Sequence, residues 1–478
     1  MPAIENSVAT TTADAAAQAL ASPASVVAPQ YAGATAAPVR AEERISTLDS
    51  IRGFGLLGIL LMNITFFGLP QEAYDFPVAA GGSTGWNLFT WCVITVIADG
   101  KMRAIFSLAF GASVYLLVDR LSRKGAALAA ADIHYRRMLW LLLFGVLHAY
   151  VIWGGDILFI YAMLGLLLYP LRKLAPRALL IGAGVLMLGY CIFEVHIYTH
   201  CTNLHREYEQ IQLEQKAGKK LSADQEDQKK EWEQLVSKYY PTADDLKKET
   251  GAHLGSYAQL FAFRAKGVYE YHSHPIYDPG VWYDPLIMML IGMALLKLGI
   301  LNGSYPTRFY VWMALLSFAV GLPAHLWSLW WPIKQHFGID AWYSTGVAYN
   351  FSRFTALGYV ALIILAIKAG VGRAATRLLA CVGQMAFTNY ILTSLICTTI
   401  FEGYGFGLFG KLQRYQLYAV VAGVWLVILI VSPLWLRHFR FGPLEWMWRC
   451  LTYWKKQPLR RDKIAAPGAG LATGLDTL

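Results

Sequence analysis

Apolar runs of helical length recur along most of the chain, separated by short polar turns. They predict membrane-spanning helices at 51–69, 104–118, 137–153, 157–171, 178–198, 285–300, 309–331, 351–368, 378–400 and 416–436. A straight span needs about 20 residues, and several of these runs are shorter. The expected fold is all-α: a polytopic transmembrane helix bundle of about ten helices. The run 86–98 is apolar too. Counting it as a full crossing would move the basic loop after Val118 to the other side of the membrane. It is therefore expected as an interfacial or re-entrant helix on the outer side, where Trp86 and Trp91 suit the headgroup region.

Polar segments divide this pattern. Residues 1–43 are rich in Ala, Thr, Ser and Pro. They lack a basic region followed by an apolar core, so a disordered cytoplasmic tail is expected rather than a signal peptide. Residues 44–199 hold the first set of spans. Residues 200–284 form a long polar insertion whose first half, 203–238, is rich in Glu, Gln and Lys and reads as helix. Residues 285–454 hold the second set, ending in a helix over 441–454 expected on the inner interface. Pro443 suits its first turn. Trp446, Trp448 and Trp454 would lie at headgroup depth, with Arg449 and Lys455 toward phosphates. Residues 455–478 are a basic, flexible tail.

Composition agrees with a membrane protein. Hydrophobic residues make up 56% of the 478 residues and charged residues 15%, against about 25% charged in a soluble domain. The net charge of +10 points to cytoplasmic loops rather than to nucleic acid, since no basic-aromatic nucleic-acid module is present. Lys and Arg gather in alternate loops, around Arg44, Arg120–Arg137, Arg172–Arg177, Lys368–Arg377 and Arg437–Arg461. The positive-inside rule then places both termini in the cytoplasm and the insertion outside. Lys219, Lys220, Lys229 and Lys230 do not oppose this, because long loops translocate largely regardless of charge. The six cysteines show no CxxC or Cys/His ligand spacing and read as small packing residues.

Polar groups within spans are costly and mark candidate chemistry. Arg52 stands at the inner mouth of the first span, three residues from Asp49. It reads as a snorkelling, topology-setting charge or as a substrate contact. Asn63 lies eleven residues on, about 16 Å deeper at helical rise, and reads as an interhelical hydrogen bond or a reactive amide. His148 lies eleven residues beyond Arg137, at similar depth. A neutral imidazole there can take a proton from an attacking group, or be a buried ring satisfied by a carbonyl. Gly154-Gly155-Asp156 is a tight outer turn in which Asp156 can cap the next helix, or orient His148. Asp99, Lys101 and Arg103 could line an outer substrate entrance or anchor the helix at the headgroups. Ser107 and Gly111 offer a small packing face. Gln384, Thr388, Asn389 and Thr393 read as interhelical packing. His325 follows Pro323 and reads as part of a kink. His272 and His274 read as surface polarity or as a weak metal pair. No P-loop, dinucleotide fingerprint, GxSxG or HExxH is present, and no metal is expected.

The stretch Arg44-Ile45-Ser46-Thr47-Leu48-Asp49-Ser50-Ile51-Arg52-Gly53, continuing to Met62-Asn63-Ile64, resembles the opening of the YeiB-like family of bacterial membrane proteins, a domain of unknown function (418). Four later blocks resemble it in the same order. They are Lys101-Met102-Arg103 through Gly111, His148 through Leu158, Gly383-Gln384-Met385-Ala386 through Tyr390, and Arg440-Phe441-Gly442-Pro443-Leu444-Glu445-Trp446. The family looks related to transmembrane acyltransferases that acylate sugars, including the heparan glucosaminide acetyltransferase. One large group of these has an arginine, ten residues and a histidine in the first helix. Here the register is kept but Asn63 takes the histidine position, as in the heparan-type branch, so a base would come from elsewhere.

The resemblance implies an acyltransferase of the bacterial inner membrane and cell envelope. Acyl-CoA, as donor, would dock its phosphates near Arg52, Arg136 and Arg137. Asn63 would polarise the acyl carbonyl. His148, helped by Asp156, would deprotonate an envelope glycan or lipid-linked acceptor. A small-molecule transporter or exporter fits ten helices with mid-membrane polar groups equally well, although no inverted repeat is visible. A non-catalytic envelope scaffold or sensor built around the insertion is a third reading. Membrane lipids are expected partners, nucleic acid is not, and a homodimer is compatible with the fold.

Overall fold

The structure, a computed structural model, describes residues 45–461 apart from 75, 124–126 and 274–278. The expected tails at 1–43 and beyond 461, and His274, lie outside the described residues. No β-strand occurs among the described residues beyond one isolated bridge between Phe439 and Arg460.

The helices are α1 (Ser46–Gly68), α2 (Gly85–Ile97), α3 (Lys101–Arg123), α4 (Ala127–Leu147), α5 (Leu158–Leu171) and α6 (Pro176–Lys216). Helices α7 (Ala223–Tyr239), α8 (Ala243–Leu254) and α9 (Tyr257–Ser273) belong to the insertion. The second set comprises α10 (Pro279–Lys297), α11 (Thr307–Lys334), α12 (Ile339–Ser344), α13 (Gly346–Ser352), α14 (Phe354–Ala369), α15 (Arg373–Gln384), α16 (Ala386–Phe401), α17 (Arg414–His438) and α18 (Pro443–Tyr453).

Among the described residues, eight helical runs are long and apolar enough to cross a membrane. The pair α15 and α16, bent by 83° about Met385, forms a ninth candidate span, and α5 is a shorter apolar helix of 14 residues. Together they correspond one for one to the ten predicted spans, and the fold is a polytopic all-α membrane bundle.

The segment 86–98 is helical, as expected. It forms its own helix, α2, and continues through a joint at 98–100 into α3, the two making one apolar run, Gly85–Arg123, of 39 residues. The joint at 98–100 is held by Lys101, whose ammonium donates to Thr95 O at 2.9 Å and Asp99 O at 3.0 Å.

Small residues set the tightest crossings. A Cβ on Gly111 would meet Met289 O at 2.2 Å, and one on Gly292 would meet Leu108 O at 2.0 Å. Backbones of α3 and α10 therefore touch, and the expected small face at Ser107 and Gly111 is used. Polar spans also pack as expected: Asn389 Nδ2 donates to Ser432 Oγ at 2.9 Å and Val382 O at 3.2 Å. His325 is bonded to Thr95 O across the bundle.

The insertion is helical because its polar segments carry strong start signals. Ser222 and Gln225 form a capping box before α7, and Thr242 and Asp245 form another before α8. The insertion then docks on one end of the bundle. Gln71 N donates to Glu249 at 2.9 Å, Gly403 N to His253 O at 2.8 Å, and Tyr257 Oη to Val151 O at 2.8 Å. His272 stacks on Phe159 with ring centroids 3.9 Å apart.

Candidate functional site

A cavity of about 220 Å³ opens between α1, α3, α4, α15 and α18. Its mouth carries Arg52, Arg120, Arg137 and Arg449, and its depth is apolar, with Phe106, Phe110, Leu141 and Leu158 leading to Tyr161 and Tyr390. Arg52 is fixed there by three acceptors: Asp49 Oδ1 at 2.8 Å, Ser113 Oγ at 2.6 Å and Gly383 O at 3.3 Å. The expected Asp49–Arg52 pair is present. Arg137 lays its guanidinium over the Trp448 ring at 3.9 Å, while Trp448 Nε1 donates to Arg137 O at 2.9 Å.

Helix α18 shapes this mouth. Proline 443 begins it, as expected, but Trp448 is buried beneath Arg137 rather than placed among headgroups, and Arg449 lines the cavity. The Glu445 carboxylate reaches the broken end of α16 and accepts from Phe387 N at 2.7 Å, Thr388 N at 3.1 Å and the Thr388 hydroxyl. A helix start leaves N–H groups without intrahelical partners and carries partial positive charge. A carboxylate answers both. Burial nonetheless pushes the Glu445 carboxyl above the usual range, outweighing the donors that pull it down.

Behind the cavity lies a second group. Helix α4 ends in a π-type turn, His148–Ile152, closed by Trp153 N donating to His148 O at 2.9 Å. Such turns re-aim a side chain and are frequent at functional sites. His148 is buried. Its Nδ1 donates to Asp156 Oδ1 at 2.8 Å, and its Nε2 lies 2.9 Å from Ser394 Oγ. Asp156 Oδ2 accepts from Phe159 N at 2.7 Å. The aspartate thus caps the next helix and orients the imidazole, one role for each oxygen.

Four expected site residues fall elsewhere. Asn63 does not share the cavity at Arg52. It lines a separate void of about 10 Å³ with Ser394, Phe67, Trp153 and Tyr390. Arg136 is not at the mouth but pairs with Asp132. Consecutive helical residues point about 100° apart, so Arg136 and Arg137 cannot share one face. Lys101 is fully buried with its ammonium spent on the α2–α3 joint. Arg103 pairs with Asp284 at 2.9 Å, which Arg353 also pairs at 2.7 Å. Neither Lys101 nor Arg103 lines the cavity, because these cations tie helices together. No cluster of three or more metal-ligating side chains occurs among the described residues.

Sequence reasoning passed over Ser394. Its signal is the spacing of four from Tyr390, which puts both on one face of α16. Tyr390 is the common wall of the two cavities. Its ring lies against His148 with centroids 5.0 Å apart, and its hydroxyl accepts from Ile157 N at 3.2 Å. Ser394 lines the void that Asn63 lines, and its Oγ lies 2.9 Å from His148 Nε2.

Comparison with known proteins gives this arrangement a family. The profile described as "Protein of unknown function (DUF418)" matches residues 295–455. The uncharacterized protein YeiB of Escherichia coli (strain K12) is 32% identical over 429 residues, covering 86% of this chain and 96% of that protein. The uncharacterized protein YxaH of Bacillus subtilis (strain 168) is 28% identical over 439 residues, covering 89% of this chain and 98% of its own. No solved structure matches. With 32% identity to YeiB over most of both lengths, and the DUF418 profile matching its second half, the chain belongs to the YeiB-like DUF418 family of polytopic bacterial membrane proteins.

Proposed function

We propose that this protein is an acyltransferase of the bacterial inner membrane, with both termini cytoplasmic. It would move an acyl group from acyl-CoA to an envelope glycan or a lipid-linked acceptor. The observation that carries this reading is the shape and chemistry of the large cavity: a mouth of four arginines over an apolar depth. A phosphate-bearing donor with an acyl tail has the same two-part character. Guanidinium groups suit phosphates because they are planar, always charged donors.

The arrangement also supplies a base. The tail end of the cavity meets Tyr390, and His148 stands behind it with Asp156 fixing its tautomer. Docking on the opposite side favours acceptor entry from outside, because the insertion closes over the turn that carries His148 and Asp156.

The test is binding and turnover of short-chain acyl-CoA by the full chain in detergent or nanodiscs. Saturable binding, with transfer or slow hydrolysis, is the expected result. Protein that neither binds nor hydrolyses acyl-CoA, with or without envelope glycans, overturns the reading. Uptake of an unaltered solute by proteoliposomes would replace it with transport.

A further inference from the structure

Ser394, His148 and Asp156 form an unbroken hydrogen-bonded row inside the bundle. Ser394 Oγ is 2.9 Å from His148 Nε2, and His148 Nδ1 is 2.8 Å from Asp156 Oδ1. The other carboxylate oxygen is held by the Phe159 amide at 2.7 Å, so Asp156 is fixed against the ring. With Nδ1 carrying its proton toward Asp156, Nε2 presents a lone pair and Ser394 becomes the donor. This is the order of roles in a serine–histidine–aspartate triad, which is recognised by geometry rather than by sequence position. We infer that Ser394 is a nucleophile that carries the acyl group covalently, with His148 as its base and Asp156 orienting the ring.

Two features separate this from ordinary helix packing. A serine in an apolar helix commonly returns its hydroxyl to the carbonyl four residues back. Here that carbonyl, Tyr390 O, is 3.3 Å away, and the histidine nitrogen is nearer. Ser394 also lines the small void together with Asn63, whose side chain has no hydrogen-bond partner among the described residues. An amide N–H on the void that Ser394 also lines is the kind of donor an oxyanion requires. Tyr390 lines both this void and the large cavity.

The chemistry closes without a redox partner. Ser394 Oγ attacks the carbonyl carbon of an acyl thioester and gives its proton to His148 Nε2. The C–S bond breaks, and the thiolate leaves with that proton. An acyl ester remains on Ser394. A hydroxyl or amine acceptor then attacks the ester carbonyl and passes its proton to His148. The C–Oγ bond breaks, and Ser394 recovers the proton. Thioester and acceptor become thiol and acylated acceptor.

The inference rests on the acyl-transfer reading for the identity of the donor, but not for the existence of the nucleophile. Full-length protein purified in detergent is treated with an alkyl fluorophosphonate, digested and analysed by mass spectrometry. Phosphonate on Ser394 is expected, with labelling slowed about 10³-fold or more in His148→Ala. A parallel sample quenched in acid after acyl-CoA treatment should carry the acyl mass on Ser394. Ser394→Ala should bind acyl-CoA normally and lose turnover. Wild-type protein unlabelled at Ser394, labelling indifferent to His148→Ala, or wild-type turnover in Ser394→Ala each overturns the inference. The last of these leaves acyl transfer standing by direct attack. Labelled Ser394 in a protein that binds no acyl-CoA keeps the nucleophile and removes the donor.

Discussion

Gly383 lies so close to Asp49 that a Cβ added to it would stand 1.9 Å from the Asp49 carbonyl oxygen. Gly53 repeats the relationship, with its added Cβ 1.9 Å from Leu379 O. Helices α1 and α15 thus touch backbone to backbone, and this contact lets Arg52 reach Gly383 O across the mouth of the cavity.

Replacing Gly383 with Ala should separate the two helices. Overpacking of this kind costs about 1–3 kcal/mol, read as a lower midpoint of thermal unfolding in detergent. Gly182 faces open space, so Gly182→Ala should leave the midpoint unchanged. Equal midpoints for both variants would contradict the close crossing.

The two neighbouring arginines should behave differently. Arg137 lines the cavity and Arg136 pairs with an exposed aspartate. Loss of a charge-assisted phosphate contact should weaken acyl-CoA binding about tenfold in Arg137→Ala. Arg136→Ala should bind as the wild type does, because an exposed pair is worth about 0–1 kcal/mol. Calorimetric titration of both variants checks this.

Lys101 should prove structural. Lys101→Ala removes the ammonium from the Thr95 and Asp99 carbonyls, and losing hydrogen bonds to a charged group costs about 1.5–3 kcal/mol. Affinity for acyl-CoA in the folded fraction should not change. A selective loss of affinity at full stability would return Lys101 to the substrate path.

Glu445 should give stability a pH dependence. Its folded-state pKa is raised by burial, so its contribution is full below the ordinary carboxylate value of about 4.3 and falls as pH rises through the raised value. Glu445→Gln should flatten that portion of the unfolding profile. Glu445→Ala should lower stability at every pH, since the first amides of α16 lose their acceptor. Unfolding midpoints measured from acid to neutral pH distinguish the three proteins.

The bundle was legible in the sequence because lipid imposes a length and a composition on every span, and all ten runs announce themselves that way. His148 and Asp156 were legible as a possible pair because only a two-glycine turn separates their helices. Lys101 and Arg103 were misplaced for a physical reason: a cation near a helix end reads alike whether it faces substrate or binds buried carbonyls and Asp284. Arg136 and Arg137 share a sequence neighbourhood but not a helix face. Ser394 stayed hidden because its partner is 246 positions away, and only the fold brings an ordinary span serine to an imidazole. The 83° break at Met385, which delivers the start of α16 to the cavity, has no proline or positive-φ glycine to announce it.

Helix α6 has 41 residues without an internal proline, a rod of about 60 Å in a hydrocarbon layer about 30 Å thick. Little of its apolar stretch is buried by the rest of the chain. A rod of twice that thickness leaves about half its length clear of the hydrocarbon. The insertion continues from that clear end and returns to the turn that carries His148, where Tyr257 Oη donates to Val151 O, so one chain segment ties the projecting rod back to the candidate site.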